Sequence, residues 1–181
     1  MQYTMNYQSP FGNILLAGDN IGLTGLWFHG EKYDRKSLAP EHLEQSTPIL
    51  QQTKEWLDIY FSGREPNFMP PLHLIGTPFR MKVWKILREI PYGATITYGE
   101  IGERLKKQDG LKKMSAQAVG GAVGHNEISI IVPCHRVVGA NGSLTGYAGG
   151  IAIKAALLQL EGADMSKLYF PSNNQHEKNI K

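Results

Sequence analysis

The sequence predicts an α+β protein in two parts. A small antiparallel sheet with one helix is expected over residues 1–75, a mainly helical part with a helix-turn-helix over 76–163, and a polar, frayed tail over 164–181. Three observations lead there. Residues 1–28 alternate apolar and polar side chains between turn-formers, as half-buried strands do. Residues 64–75 hold Pro66, Pro70 and Pro71, the composition of a crossing linker. From Gly76 onward, apolar residues recur at helical spacing in short segments.

A first strand over residues 1–7 places Tyr3, Met5 and Tyr7 on one face. Ser9-Pro10-Phe11-Gly12 turns the chain, residues 13–17 form a second strand, and Gly18-Asp19-Asn20 turns it again into a third over 22–28. Residues 30–45 are charged and unpatterned and are expected to be loop. A helix fits 47–61, capped by Ser46 or Thr47, with Leu50, Trp56, Leu57, Tyr60 and Phe61 on its apolar face and Gly63 at its end. His29, His42 and His73 stand singly, without the spaced partners that metal ligation needs.

Thr77 caps the next helix, with Pro78 at its first position and Phe79, Val83, Trp84, Ile86, Leu87 and Ile90 as its stripe. Pro91-Tyr92-Gly93 ends it, and residues 94–97 are extended. A second helix is expected over 98–105, a basic loop over 106–113, and a third helix over 116–124 capped by Ser115. Two short helices joined by a tight loop suggest helix-turn-helix DNA binding. The third helix is almost all small, with no Arg or Lys, and Gly120, Gly121 and Gly124 each cost about 1 kcal/mol against alanine. Such a helix suits either close approach to the narrow minor groove or tight packing on a strand.

Ile130-Ile131-Val132 reads as a short buried strand, and Pro133 ends its pairing. Cys134 follows as the only cysteine of 181 residues, so no disulfide within the chain and no multi-cysteine zinc site can form. A lone cysteine is most often an inert buried thiol. His135 and Arg136, directly after it, favour the thiolate, which is the nucleophile. Gly139-Ala140-Asn141-Gly142-Ser143 suits a rim, and residues 143–150 form a loop able to wrap a planar ligand. A last helix over 151–160 ends at Glu161-Gly162.

Charge is divided unevenly. Residues 1–75 carry −3 and residues 76–181 carry +6, which fits either a polyanionic partner for the second part or a solvated basic face. No basic-then-apolar leader and no 18-residue apolar run appears, so a soluble, cytoplasmic protein in a reducing compartment is expected, with no membrane partner.

Six segments recur in register: Pro78-Phe79 with Val83-Trp84; Ile90-Pro91-Tyr92-Gly93 with Thr97-Tyr98; Ala118-Val119-Gly120-Gly121-Ala122 with Asn126; Pro133-Cys134-His135-Arg136-Val137-Val138; Gly146-Tyr147-Ala148-Gly149-Gly150; and Lys154 with Leu157-Leu158 and Glu161-Gly162. Together they resemble the O6-alkylguanine-DNA alkyltransferases, also called methylated-DNA–protein-cysteine methyltransferases. The resemblance covers residues 76–162. Residues 1–75 match only in arrangement, which in that family is a ribonuclease H-like sheet and helix; the second part is winged-helix-like.

The resemblance implies direct repair. The chain would flip O6-alkylguanine out of a duplex bound through its minor groove and keep the alkyl group on Cys134 in one irreversible turnover, as a monomer without cofactor or metal. O4-methylthymine would be a second substrate. Carried over by position, His135 would act as base through a water, with Glu161 orienting it. On its own, Glu161 reads as a solvated helix-end carboxylate. Tyr98 would help turn the nucleotide out and donate toward the departing guanine. Asn126 would tie the third helix to the cysteine turn as a hinge. Backbone groups at Cys134, Val137 and Ala148 would read the base, Tyr147 and Gly149 would shape the pocket, and Arg136 would support the site. Thr97, Ser115, Gln117, Ala118 and Gly121 would meet DNA.

Two departures stand out. Gln117 occupies a position that commonly holds an intercalating arginine, which predicts weaker DNA affinity or another intercalation geometry. Ala148 stands where some members have serine, leaving only the backbone N–H. Three other readings differ in what they predict: a sensor that binds alkylated DNA without transfer, a Cys-His hydrolase that turns over, and a helix-turn-helix transcription factor with sequence-specific affinity.

Overall fold

The computed structural model describes residues 1–32 and 34–172; the rest of the expected tail, 173–181, lies outside the described residues. The fold is of the expected α+β class. Strands β1 (Gln2–Ser9), β2 (Gly12–Gly18) and β3 (Leu23–Phe28) form the antiparallel meander. A fourth strand, β4 (His42–Glu44), pairs parallel with β1, so the sheet order is β3-β2-β1-β4. The expected loop over 30–45 therefore ends in a strand. All three β4 residues are exposed, so this edge strand carries no alternation to reveal it.

Helix α1 (Pro48–Phe61) is capped by Thr47, whose side chain accepts from the Leu50 N–H. It lays Leu50, Trp56, Leu57 and Tyr60 against Ile14, Leu16, Leu23 and Leu26 of the sheet, all buried. The expected linker is docked rather than free: Leu23 N–H donates to the Pro71 carbonyl and His73 N–H to the Leu23 carbonyl, closing one edge of β3. His73 itself pairs with Asp19 at 2.6 Å.

In the second part, α2 (Pro78–Arg88), α3 (Tyr98–Asp109) and α4 (Ala116–Gly124) pack on one another around Val83, Trp84, Leu87, Ile101, Leu105 and Val119. The buried Trp84 indole donates to the Ala122 carbonyl at 2.9 Å and so pins α4 to α2. Helix α3 runs one turn further than expected. Its last residues are polar and face solvent, and Gly110 ends it in the left-handed conformation at φ 65°. Short strands β5 (Ile96–Thr97) and β6 (Val137–Val138) pair in parallel, and α5 (Ile151–Leu160) closes the chain against them.

The two parts meet along β3. Leu26 N–H donates to the Glu127 carbonyl and Ser129 N–H to the Leu26 carbonyl, while the Trp27 indole donates to Glu127 at 2.8 Å. The start of the expected tail is ordered. A 3-10 turn spans Met165–Lys167, and Tyr169 exchanges backbone hydrogen bonds with Gly142 and Leu144.

Candidate active site

Ile130-Ile131-Val132 is not a strand. Ile130 takes φ 70°, a rare conformation for a β-branched residue, and the run folds into a turn closed by Val132 N–H on the Ile128 carbonyl. Asn126 holds that turn. Its Oδ1 accepts from the Ile128 N–H at 2.9 Å, and its Nδ2 donates to the Val132 carbonyl at 2.7 Å and to Cys134 Sγ at 3.2 Å. One buried side chain thus supplies the bonds a neighbouring strand would have made. Pro133 then starts a single 3-10 turn, Cys134–Arg136.

Cys134 is buried, and the expectation that its basic neighbours hold it as thiolate is wrong. Burial pushes the thiol up to about 11; the Asn126 amide and the charge of Lys154 pull the other way, and Glu31 adds to the rise. His135 and Arg136 point elsewhere, to Glu161. A 3-10 turn sends successive side chains in different directions, so adjacency in sequence is not adjacency to the sulfur.

Glu161, just past the end of α5, gathers four donors from three segments. His135 Nε2 lies 2.7 Å from Oε2, Arg136 Nε donates to Oε1 at 2.7 Å, the Tyr60 hydroxyl donates to Oε2 at 3.0 Å, and Gly93 N–H donates to Oε1 at 3.3 Å. Burial opposes the charge on Glu161, but the hydrogen bonds from His135 and Arg136 and the charge of Arg136 outweigh it and hold the carboxyl down at about 2. Burial keeps His135 below its ordinary value, so it is a neutral imidazole. A carboxylate only accepts, so Nε2 carries the proton and the buried Nδ1, which has no hydrogen-bond partner among the described residues, keeps its lone pair. Arg136 also donates to the Ile90 carbonyl at 2.8 Å. Gly93 is needed at its place: at φ 76°, an added Cβ would stand 2.9 Å from the Glu161 carbonyl oxygen.

On the other side of the cysteine lies Tyr98, whose hydroxyl donates to the Thr145 carbonyl at 3.1 Å rather than into a pocket. Beneath it, fully buried Lys154 donates to the Thr145 carbonyl at 2.7 Å and to the Val137 carbonyl. Burial lowers the Lys154 ammonium to about 8 and raises the Tyr98 phenol to about 12. Gly146 allows this contact, since at φ 78° an added Cβ would fall 2.5 Å from the Tyr98 hydroxyl. Of the backbone groups at Val137 and Ala148 expected to read a base, the Val137 carbonyl accepts from Lys154 and the Ala148 carbonyl from the Lys32 N–H. Tyr147 is buried with its ring edge-on to His135.

Gln117 and Ala118 are exposed on α4. A Cβ added at Gly120, Gly121 or Gly124 would meet nothing within 4 Å, which removes tight interior packing as the reason for these glycines. They border a cavity of about 260 Å³ shared with Lys32, His125, Gly146, Tyr147 and Ala148. Thr97 and Ser115 cap α3 and α4, accepting from the N–H groups of Glu100 and Ala118. The structure therefore gathers Cys134, His135, Arg136, Asn126, Tyr147 and Glu161 into one buried cluster, with the α4 residues on the surface beside it.

Tyr60, Lys154 and Glu31 belong to this cluster without having been singled out as site residues. Lys154 had a signal, a single cation in an otherwise apolar helix. Tyr60 looks like one more apolar-face aromatic, and Glu31 lies in an unpatterned stretch. Glu31 is buried, its carboxylate accepts from the Phe28 N–H, and burial with nearby Asp34 and Glu127 raises it to about 8. Among the described residues, no group of three or more His, Cys, Asp and Glu side chains is disposed to hold a metal ion, and no helix is long and apolar enough to cross a membrane.

Comparison with known proteins covers both parts. Residues 2–74 match the ribonuclease-like domain of 6-O-methylguanine DNA methyltransferase, and residues 78–163 match its DNA binding domain. The methylated-DNA–protein-cysteine methyltransferase of Methanosarcina acetivorans is 45% identical over 89% of this chain and 99% of its own length. That of Haemophilus influenzae is 40% identical over 88% and 86%. Mycobacterium tuberculosis O6-methylguanine methyltransferase superposes with a TM-score of 0.74 at 40% identity, covering 98% of this chain and 99% of that one. An M. tuberculosis OGT solved in complex with DNA superposes at 0.73 and 43% identity, covering 88% and 91%.

Proposed function

The chain belongs to the 6-O-methylguanine DNA methyltransferase family, and on that premise we propose that it repairs O6-alkylguanine by moving the alkyl group onto Cys134 once and irreversibly. It is a methylated-DNA–protein-cysteine methyltransferase acting on alkyl damage in DNA. The observation that carries the mechanism is the order of groups at the site. Glu161 fixes the Nε2–H of His135, which leaves the Nδ1 lone pair available as a base on the residue that follows a thiol otherwise held protonated.

The proton of Cys134 passes to His135 Nδ1 through a water. Sγ then attacks the alkyl carbon, the S–C bond forms, and the bond from that carbon to O6 breaks. Guanine leaves with the electron pair and takes a proton supplied on the Tyr98 side. The thioether has no leaving route, so the protein acts once. Asn126 steadies the sulfur, Arg136 neutralises Glu161, and the wall formed by Tyr147, Ala148 and Gly149 with the backbone at Val137 receives the base. Opening the Lys154 and Lys32 contacts to those carbonyls accompanies base entry.

Double-stranded DNA docks through its minor groove on α4. Gln117 enters the space the base vacates, Ala118 and Gly121 admit close backbone approach, and the capped ends at Thr97 and Ser115 flank the phosphates. O4-methylthymine, similar at the alkylated oxygen, is a second substrate. The protein acts as a cytoplasmic monomer, with residues 1–75 as a ribonuclease-like unit and 76–163 as the DNA-binding, alkyl-accepting unit.

The test is intact-protein mass after mixing with a short duplex bearing one O6-methylguanine, repeated with O4-methylthymine. One methyl gained in place of hydrogen, mapped to Cys134 and absent from Cys134→Ser, is expected. Tight binding to the damaged duplex without any gain would make the protein a sensor and overturn the transfer reading.

A further inference from the structure

Tyr60 lies on α1, in the N-terminal part, 101 positions from Glu161 in sequence, yet its hydroxyl donates to Glu161 Oε2 at 3.0 Å. That oxygen is the same one that His135 Nε2 approaches at 2.7 Å. The Tyr60 ring is held by packing. Trp56 stacks on it at 5.3 Å, and Phe61 and Tyr92 meet it edge-on at 5.3 and 6.2 Å. Phenylalanine would fill this space without burying a hydroxyl, and a buried hydroxyl costs stability unless bonded.

We propose that Tyr60 is a positioning residue for His135: its hydroxyl takes up part of the Glu161 carboxylate and so limits how firmly that carboxylate draws a proton onto the imidazole. The inference rests on the role given to His135 above, and it makes the N-terminal part a contributor to the chemistry of the second. The groups facing each member are known. Glu161 receives Tyr60 from α1, Arg136 and His135 from the cysteine turn, and Gly93 from the turn after α2, with the Tyr92 hydroxyl also in its field. His135 feels Glu161, Arg136 and Lys154, with the Tyr147 ring against its face.

The sign follows from charge. Losing the Tyr60 O–H leaves more negative charge on Oε2 for His135, which favours the imidazolium. In Tyr60→Phe the His135 midpoint should rise by about half a pH unit, roughly threefold in proton affinity. Two readouts check this. One is NMR titration of the His135 imidazole, assigned by its loss in His135→Gln. The other is the acid limb of the single-turnover transfer rate, which should move up by the same interval. Tyr92→Phe is the control, since it removes a buried hydroxyl that has no hydrogen-bond partner among the described residues from the same aromatic cluster and should leave the midpoint in place.

A Tyr60→Phe midpoint that stays with the wild type, or stays below the pH at which both proteins unfold, overturns the inference even if stability or the plateau rate drops. A wild-type protein that accepts no alkyl group overturns the proposed function instead, and the NMR midpoint still decides the role of Tyr60.

Discussion

The cluster around Glu161 and the outer face of α4 are built on opposite terms. At Glu161 the side chains are buried, and both carboxylate oxygens are engaged by Tyr60, His135, Arg136 and the Gly93 N–H. On α4, Gln117 and Ala118 are exposed, and three glycines border open space. The first region is satisfied among its own side chains, and removing Glu161 or Arg136 leaves a buried charge unmatched. The second lowers helix stability without any packing in return, which is how a surface looks when its partner is another molecule.

The largest expected effect is at the hub. Glu161→Gln leaves Arg136 buried without its anion and should cost about 3–5 kcal/mol at pH 7, with transfer lost as His135 loses its anchor. The pH dependence has a definite sign. Glu161 is held at about 2 when folded, so its contribution is fully present above the ordinary carboxylate value near 4.5 and is lost as pH falls from there toward 2. Urea unfolding of both proteins at pH 7 and pH 3 should show the gap between them shrinking at the lower pH. An equal gap at both would mean that the ion pair is not its source.

A smaller effect is expected on the open face. Gln117→Arg adds a cation where DNA is proposed to sit. Affinity for duplex DNA should rise severalfold, about 1 kcal/mol, and the salt dependence should steepen by about one ion released. Unchanged affinity, salt slope and repair rate would remove position 117 from the interface.

The smallest effect contrasts the two regions most directly. Gly120→Ala puts a methyl group where nothing stands within 4 Å, so it should stabilise the fold by about 0.5–1 kcal/mol while weakening DNA binding. Thermal unfolding and a binding titration on the same variant decide it. Loss of stability would mean that the glycine serves the fold after all.

Most of the elements were legible because their signals are local. Thr47, Thr77 and Ser115 cap the helices expected to start after them, and residues 116–124 and 151–160 are helical as their spacing implies. Where local signals misled, tertiary bonding had replaced them. Ile130-Ile131-Val132 has the composition of a strand, but Asn126 supplies its hydrogen bonds and allows a turn. Strand β4 has no apolar face, because it is an exposed edge held by its backbone pairing to β1.

At the site, the motif segments around the one cysteine named Glu161 as the partner of His135, and the two do meet. The electrostatics did not follow from order along the chain. His135 and Arg136 stand next to Cys134 in sequence, yet they serve Glu161, while Lys154 and Asn126 act on the sulfur. The chain alone determined which residues were available, where the helices begin, and the family to which they belong, because capping, periodicity and motif spacing are properties of neighbouring residues. Only the folded structure decided that the thiol rests protonated and that a tyrosine from the N-terminal helix bonds the carboxylate beside the base, because burial and charge act through space, here between residues 101 positions apart.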